Sequence, residues 1–282
     1  MEVQKLGVVG AGFMGTGIAE AAARAGIDVV VVDSEAAALE RSRRQLADSL
    51  AHAVRGGKLA SDEVDSVTGR IAHSTELGEL GESELVVEAV FEDLAVKGPV
   101  FAALDRLLPD DALVASNTSS IPIAELAART GRPDRVVGLH FFSPVPVMRL
   151  VEVVVALETS AETVERARAF AEKLGKQPIE TKDRSGFIVN MLLVPYLMAA
   201  VRMYEDGFAT RDDIDAGMKL GCGHPMGPLT LCDFIGLDVL YAVCNSLYDE
   251  FKRDEYAPPP LIKRMVAAGR LGRKAGRGFY DY

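Results

Sequence analysis

Short apolar runs alternate with helix-like stretches through the first two-thirds of the chain. The runs lie at residues 5–9, 28–33, 71–73, 85–88, 113–116, 136–140, 150–155 and 177–182. Each is four to eight residues long or nearly so, is bounded by turn residues, and reads as a buried strand. Helical patterns separate most of them, which implies a doubly wound, mainly parallel sheet of the Rossmann type. After Lys182 the strand pattern stops. Residues 187–207, 212–221, 228–248 and 261–269 carry helical periodicity instead. The expected organisation is an α/β domain over residues 1–184 and an all-helical domain over 185–282. The boundary falls near Asp183-Arg184-Ser185-Gly186.

One connection is longer than the sheet needs. Between Ser34 and Thr68 the chain offers two helices before the next strand, a helical hairpin insertion at about 35–68 that is expected to stand off the sheet. Leu39, Leu46, Leu50 and Val54 share one stripe of its first helix, which Gly56-Gly57 ends, and Ser61 is a candidate cap for its second. Such a hairpin is either an ordinary insertion with a solvated face or a flap over a ligand. In the helical part, Thr210 and Asp213 resemble a capping box, with Gly207 and Gly221 as expected stops. Residues 187–201 are apolar almost throughout, which suggests a helix buried nearly all round in a domain core or a subunit interface.

Composition narrows the partners. The chain has 282 residues, of which 31 are basic and 41 acidic. That balance argues against a broad nucleic-acid surface. The longest apolar stretch is short for a membrane span and contains Asn190 and Pro195. No leader precedes the first strand, so a cytoplasmic protein is expected. Cys222, Cys232 and Cys244 fit no zinc spacing and read as reduced thiols, and no metal site is expected.

The first strand runs into Gly10-Ala11-Gly12-Phe13-Met14-Gly15, then into a helix, and the second strand ends on Asp33. Each glycine has a physical job. Gly10 turns the chain sharply out of the strand, Gly12 leaves room for a pyrophosphate at the backbone, and Gly15 lets helix and sheet pack closely. The helix N-terminus offers unpaired N–H groups and the positive end of its dipole to phosphates. Asp33 can accept from a ribose 2′-hydroxyl. Strand before, helix after and an acid at the next strand tip identify a dinucleotide site. Asp33 would repel a 2′-phosphate, which favours NAD over NADP, although Arg41, Arg43 and Arg44 follow in the next helix.

Ligands of such sheets lie at the carboxyl ends of the strands. His140 closes 136–140 and suits a base that takes a hydroxyl proton while hydride leaves carbon. His73 also ends a strand and is the main rival; His52 lies on the hairpin and His224 in a Gly/Pro loop. Glu152 interrupts the apolar run 150–155. A carboxylate there needs a partner if buried, and a histidine that becomes cationic would be one; alternatively it faces solvent from an edge strand. Ser116-Asn117-Thr118-Ser119-Ser120 follows another strand, as hydroxyls beside the cleft or as the cap of a helix. Asn190 stands among Phe187, Ile188, Val189, Met191 and Leu192, where its amide must find a partner in a ligand or a backbone group.

These residues, with His140-Phe141-Phe142, Pro144-Val145-Pro146-Val147-Met148, Leu150-Val151-Glu152, Gly186-Phe187-Ile188-Val189-Asn190, His224-Pro225-Met226-Gly227-Pro228 and the closing stretch from Leu271 to Tyr280, resemble the 3-hydroxyacyl-CoA dehydrogenase family over essentially the full length. The resemblance is greatest to its short-chain 3-hydroxybutyryl-CoA members. It implies reversible NAD-dependent oxidation of an (S)-3-hydroxyacyl-CoA thioester. His140 would be the base and Glu152 its orienting acid, with Ser119 and Asn190 on substrate oxygens and Ser119 also near the nicotinamide. Asp33 would hold the adenosine ribose, with Glu92, Lys97, Asn117 and Lys274 along the cofactor. Ser49 and its helix would meet coenzyme A, and the helical domain would pair two subunits. Three positions depart from the family's pattern. Ser143 stands where an Asn is usual, giving a shorter cofactor contact. Met191 replaces a common Arg. Gly56 occupies the neighbourhood of a lysine that meets coenzyme A, a contact left to Arg55 or Lys58. The alternatives are a relative acting on a free hydroxy acid, such as carnitine or a sugar acid, and a non-catalytic NAD-binding protein on the same scaffold.

Overall fold

The structure, a computed structural model of the chain, describes residues 3–282. Its contacts divide the chain into two units, Met1–Asp183 and Arg184–Tyr282.

The first unit runs β1 (Lys5–Val9), α1 (Phe13–Arg24), β2 (Asp28–Val32), α2 (Ala36–Arg55), α3 (Val64–Gly69), β3 (Ile71–Ser74), β4 (Leu85–Glu88), α4 (Leu94–Leu107), β5 (Leu113–Ser116), α5 (Ile123–Ala127), β6 (Val136–Phe141), β7 (Leu150–Val155), α6 (Ala161–Lys173) and β8 (Gln177–Lys182). The eight strands form one sheet in the order β3-β2-β1-β4-β5-β6-β7-β8. Strand order reverses between β1 and β4, and the crevice there is where doubly wound sheets bind ligands. Every pairing is parallel except β6 with β7. The chain reaches β7 through a loop of eight residues rather than a crossover helix, and a connection that short joins only antiparallel neighbours.

Burial on both faces explains why the strands are apolar runs rather than alternating ones. Leu6, Val8, Val29, Val31, Leu85, Val87, Leu113 and Val137 form one core with Ile18 of α1, Leu46 of α2 and Phe170 of α6. The alternate positions Val86, Val114 and Val136 are fully buried as well, on the face where α5 approaches β6. The insertion is tied to this core. Leu39, Leu46 and Leu50 are buried with α1 residues, so the first hairpin helix packs on α1 instead of standing off the sheet, and only Val54 of the expected stripe is left half-buried. Ser61 opens a 3-10 turn whose cap position is Ala60, so the expected Ser61 cap does not form.

The second unit contains α7 (Val189–Glu205), α8 (Arg211–Cys222), α9 (Pro228–Ile235), α10 (Leu237–Phe251) and α11 (Pro260–Ala267). Thr210 caps α8 as its spacing predicts, accepting from Asp213 N at 3.2 Å. The left-handed stop of α8 is Gly223, not Gly221. The helix expected over 228–248 is two helices bent by 97°. Gly236, at φ +102°, breaks it, because a right-handed helix cannot continue through that backbone angle. Nor is α7 buried all round: Ile188 just before it, and Leu192, Ala199 and Met203 along it, form an exposed stripe. Two buried carboxylates tie the unit together. Asp215 accepts from Leu229 N at 2.7 Å and Thr230 N at 2.9 Å, and Asp233 from Phe279 N and Tyr280 N, each at 2.9 Å. Among the described residues, no single helix is long and apolar enough to cross a membrane.

Candidate active site

The antiparallel pairing of β6 and β7 sets His140 directly across from Glu152. Facing side chains on neighbouring strands meet at this distance, and His140 Nδ1 lies 2.6 Å from Glu152 Oε2. Glu152 is fully buried and His140 is 7% exposed. Because β8 covers the far side of β7, Glu152 is on an interior strand, not an edge one. An ionised carboxylate is only an acceptor, so the proton on this bond belongs to Nδ1 and the basic lone pair of the ring is at Nε2. The ring also packs on Phe142, with centroids 4.6 Å apart.

The rival histidines are differently engaged. His73 Nε2 lies 3.2 Å from Ser42 Oγ, which receives a 2.8 Å hydrogen bond from Thr16, so this imidazole ties β3 to α2 and α1. Burial, helped by the nearby Arg43, holds its pKa below the ordinary histidine value. His52 is on the exposed face of α2. In the second unit, His224 Nδ1 is 3.1 Å from the Tyr196 hydroxyl.

The glycine turn has the shape its sequence implies. Gly10 has φ +107°, and a Cβ there would lie 2.5 Å from the Ala89 carbonyl oxygen. A Cβ on Gly15 would fall 1.9 Å from the Gly10 carbonyl, while one on Gly12 would meet nothing within 4 Å. Gly12 caps α1 without any side-chain hydrogen bond, and no acid occupies the first turn. Open space and an uncapped positive helix end fit a pyrophosphate. Phe13 is exposed and Met14 half-buried beside it. Asp33 Oδ2 accepts from Ala11 N at 2.8 Å and Oδ1 from Glu35 N at 3.0 Å. The carboxylate thus holds the glycine turn against the tip of β2 and keeps lone-pair capacity for a ribose hydroxyl. Arg41 and Arg43 face Glu35 and Glu40 in surface ion pairs, so they do not gather into a phosphate site. The residues present fit NAD.

The tips of β4 and β5 form the adjoining wall. Asn117 Oδ1 accepts from Phe141 N at 2.9 Å and braces β5 against β6. Ser119 is half-buried, its backbone N–H donating to Glu92 Oε1 at 3.0 Å. Lys97 is buried, its ammonium 2.7 Å from Glu88 and 3.1 Å from Glu92. Burial alone would push the Glu92 carboxyl up. The charge of Lys97 and hydrogen bonds from Thr118, Lys97 and Ser120 outweigh it and hold the group below the usual carboxylate range. Glu88 is not among the sequence candidates, although the signal is there: like Glu152, it is a carboxylate in an otherwise apolar strand.

The other candidates are placed as follows. Ser143 is exposed in the β6–β7 loop. Ser49 is half-buried on α2, and its hydroxyl helps counter the upward push of burial on the Glu20 carboxyl of α1. Arg55 and Lys58 are exposed around the end of α2. In the second unit, Asn190 is half-buried in the first turn of α7, and Lys274 pairs with Asp238 at 2.7 Å.

Comparison with known proteins follows the same division. The NAD-binding domain model of 3-hydroxyacyl-CoA dehydrogenase matches residues 5–184, and the model of that family's C-terminal domain matches 186–282. The chain is 52% identical to a 3-hydroxybutyryl-CoA dehydrogenase of Mycobacterium tuberculosis over 282 residues, 99% of each chain. It is 42% identical to the human mitochondrial hydroxyacyl-coenzyme A dehydrogenase over 287 aligned positions, covering 99% of this chain and 91% of that one. Among solved structures, the (S)-3-hydroxybutyryl-CoA dehydrogenase of Ralstonia eutropha is similar with a TM-score of 0.94 at 44% identity, covering 100% of this chain and 99% of that one.

Proposed function

The chain belongs to the 3-hydroxyacyl-CoA dehydrogenase family, and from that premise we propose that it catalyses the reversible oxidation of (S)-3-hydroxybutyryl-CoA and similar short-chain thioesters to the 3-ketoacyl-CoA. The observation that carries this reading is the 2.6 Å contact between His140 and a fully buried Glu152, with His140 near the carboxyl end of β6 in the same sheet whose β1 runs into the glycine turn.

Bound at the glycine turn, NAD supplies the hydride acceptor in oxidation and the donor in reduction. The protein's part is the proton. As the carbonyl forms at C3, the substrate's hydroxyl proton passes to Nε2 of His140. Glu152 holds Nδ1–H, keeps the ring in the tautomer that leaves Nε2 basic, and offsets the positive charge the ring takes up. In reduction the same nitrogen returns the proton. Ser119 bonds the substrate oxygen from the β5 tip, and Asn190 takes the second such role that the family resemblance implies. Asp33 selects a 2′-hydroxyl over a 2′-phosphate by charge and hydrogen bonding. The family resemblance assigns Glu92, Lys97, Asn117, Ser143 and Lys274 to the cofactor. Ser49 with Arg55 or Lys58 meets coenzyme A, whose phosphates need a local basic group on a chain with ten more acidic than basic residues.

The protein works in the cytoplasm, independently of membranes and nucleic acid, as a homodimer that covers the exposed stripe Ile188, Leu192 and Met203 of the helical unit. That exposure supports the dimer, because a contiguous apolar stripe of this kind is a usual mark of an interface.

A panel of substrates tests the activity. Acetoacetyl-CoA should be reduced with NADH, and much more slowly with NADPH, while free acetoacetate should be a poor substrate. Equal rates on the free acid would favour a hydroxy-acid dehydrogenase. Cofactor binding with no turnover on any member of the panel would favour a non-catalytic protein.

A further inference from the structure

Glu88 is the last residue of β4 and is fully buried. Its Oε1 accepts from Val90 N and from Lys97 Nζ, each at 2.7 Å, and its Oε2 accepts from Ser116 Oγ at 2.7 Å. Lys97, 1% exposed, bridges from Glu88 to Glu92. Glu92 in turn spends one oxygen entirely on the β5 tip. Its Oε1 accepts from Thr118 Oγ1 at 2.5 Å, Ser119 N at 3.0 Å, Ser120 Oγ at 2.9 Å and Ser120 N at 3.2 Å.

A buried ion pair is a poor device for stability alone. Desolvating two charges costs several kcal/mol, and apolar residues of similar volume often do as well. What distinguishes this triad is where its hydrogen bonds end. Apart from those that reach Lys97 on α4, each of the bonds above lands on the loop after β4 or on the end of β5 and the residues that follow it. Ser116 extends the pattern, since its Oγ, which donates to Glu88, also accepts from Thr118 N at 3.1 Å. The triad therefore fixes the backbone on both sides of Ser119 while the Ser119 N–H is itself held. A reacting group is useful only if it is held within a fraction of an ångström of its working position.

We propose that Glu88 is a positioning residue for the dehydrogenase reaction: through Lys97 and Glu92 it locks the Thr118–Ser120 segment and so presents the Ser119 hydroxyl to the substrate. The proposal rests on the functional reading above, with Ser119 at the substrate oxygen. It makes Lys97 the link between two carboxylates, whatever else that residue touches.

The test is a double-mutant cycle on the full chain, read as acetoacetyl-CoA reduction by NADH and as NADH affinity by fluorescence titration. Glu88→Gln keeps the shape and one acceptor but removes the charge that anchors Lys97. It should lower kcat about 10- to 100-fold, the cost of misplacing a reacting group by about an ångström, and leave the NADH Kd within about twofold. Combined with Ser119→Ala, it should lower kcat no further than Ser119→Ala does alone. A kcat within about twofold of wild type, losses that multiply in the double variant, or a parallel rise in the NADH Kd would each overturn the proposal. If Glu88→Gln does not fold, Glu88→Asp, which keeps the charge on a shorter side chain, is read the same way; failure of both to fold would assign the triad to the fold and end the proposal. A wild type without turnover on acetoacetyl-CoA would instead refute the functional reading beneath it.

Discussion

At the scale of residues, the site depends on how two strongly polar side chains survive in an apolar sheet. Glu152 has no access to water, and an isolated carboxylate there would be costly. Its bond to His140 offsets that cost and also imposes a tautomer. Glu152→Gln keeps the volume but loses the charge, and a glutamine amide can donate to Nδ1 and trap the ring with its proton on Nε2. Turnover of acetoacetyl-CoA should fall roughly 10²-fold or more while NADH affinity stays near wild type; an unchanged kcat would mean that Glu152 only fills space. Glu152 was recognisable in the sequence because a carboxylate interrupts a valine-rich strand. Glu88 offered the same signal and went unremarked, since it closes its strand instead of interrupting it. The partners of Lys97 were not legible, because they are set by how loops fold back over the strand ends.

At the scale of elements, the strands were readable because burial on both faces makes them continuous apolar runs. Their pairing was not. Alternating strands and helices imply a mainly parallel sheet, and nothing local says that β7 turns back against β6 except the brevity of the loop between them. That one antiparallel step brings Glu152 to the end of the sheet where His140 sits; a parallel β7 would start at the opposite end. The bend at Gly236 escaped for a similar reason, since one glycine in a helical pattern reads as tolerated until its backbone angle is known. The glycine turn allows a sharp prediction. A Cβ on Gly12 meets nothing within 4 Å, so Gly12→Ala should melt within about 2 °C of wild type, a shift worth about 1 kcal/mol at most. The same methyl would occupy space reserved for the pyrophosphate, and the NADH Kd should rise at least about tenfold. Unchanged affinity would place the phosphates elsewhere.

At the scale of the whole molecule, the chain combines a sheet that holds a dinucleotide with a helical unit that leaves apolar surface exposed. Leu192 is 73% exposed on α7. If that stripe is the homodimer contact, light scattering should give twice the chain mass for wild type and the mass of one chain for Leu192→Asp; a wild type of single-chain mass would remove the dimer from the account. The central claim is that binding and proton transfer are separable, with the glycine turn responsible for one and the imidazole of His140 for the other. The most direct measurement is therefore made on His140→Ala, titrating NADH binding and acetoacetyl-CoA turnover on the same preparation. The account predicts an NADH Kd within about twofold of wild type and a kcat lower by about 10²- to 10⁴-fold. Turnover near the wild-type rate in that variant would contradict it.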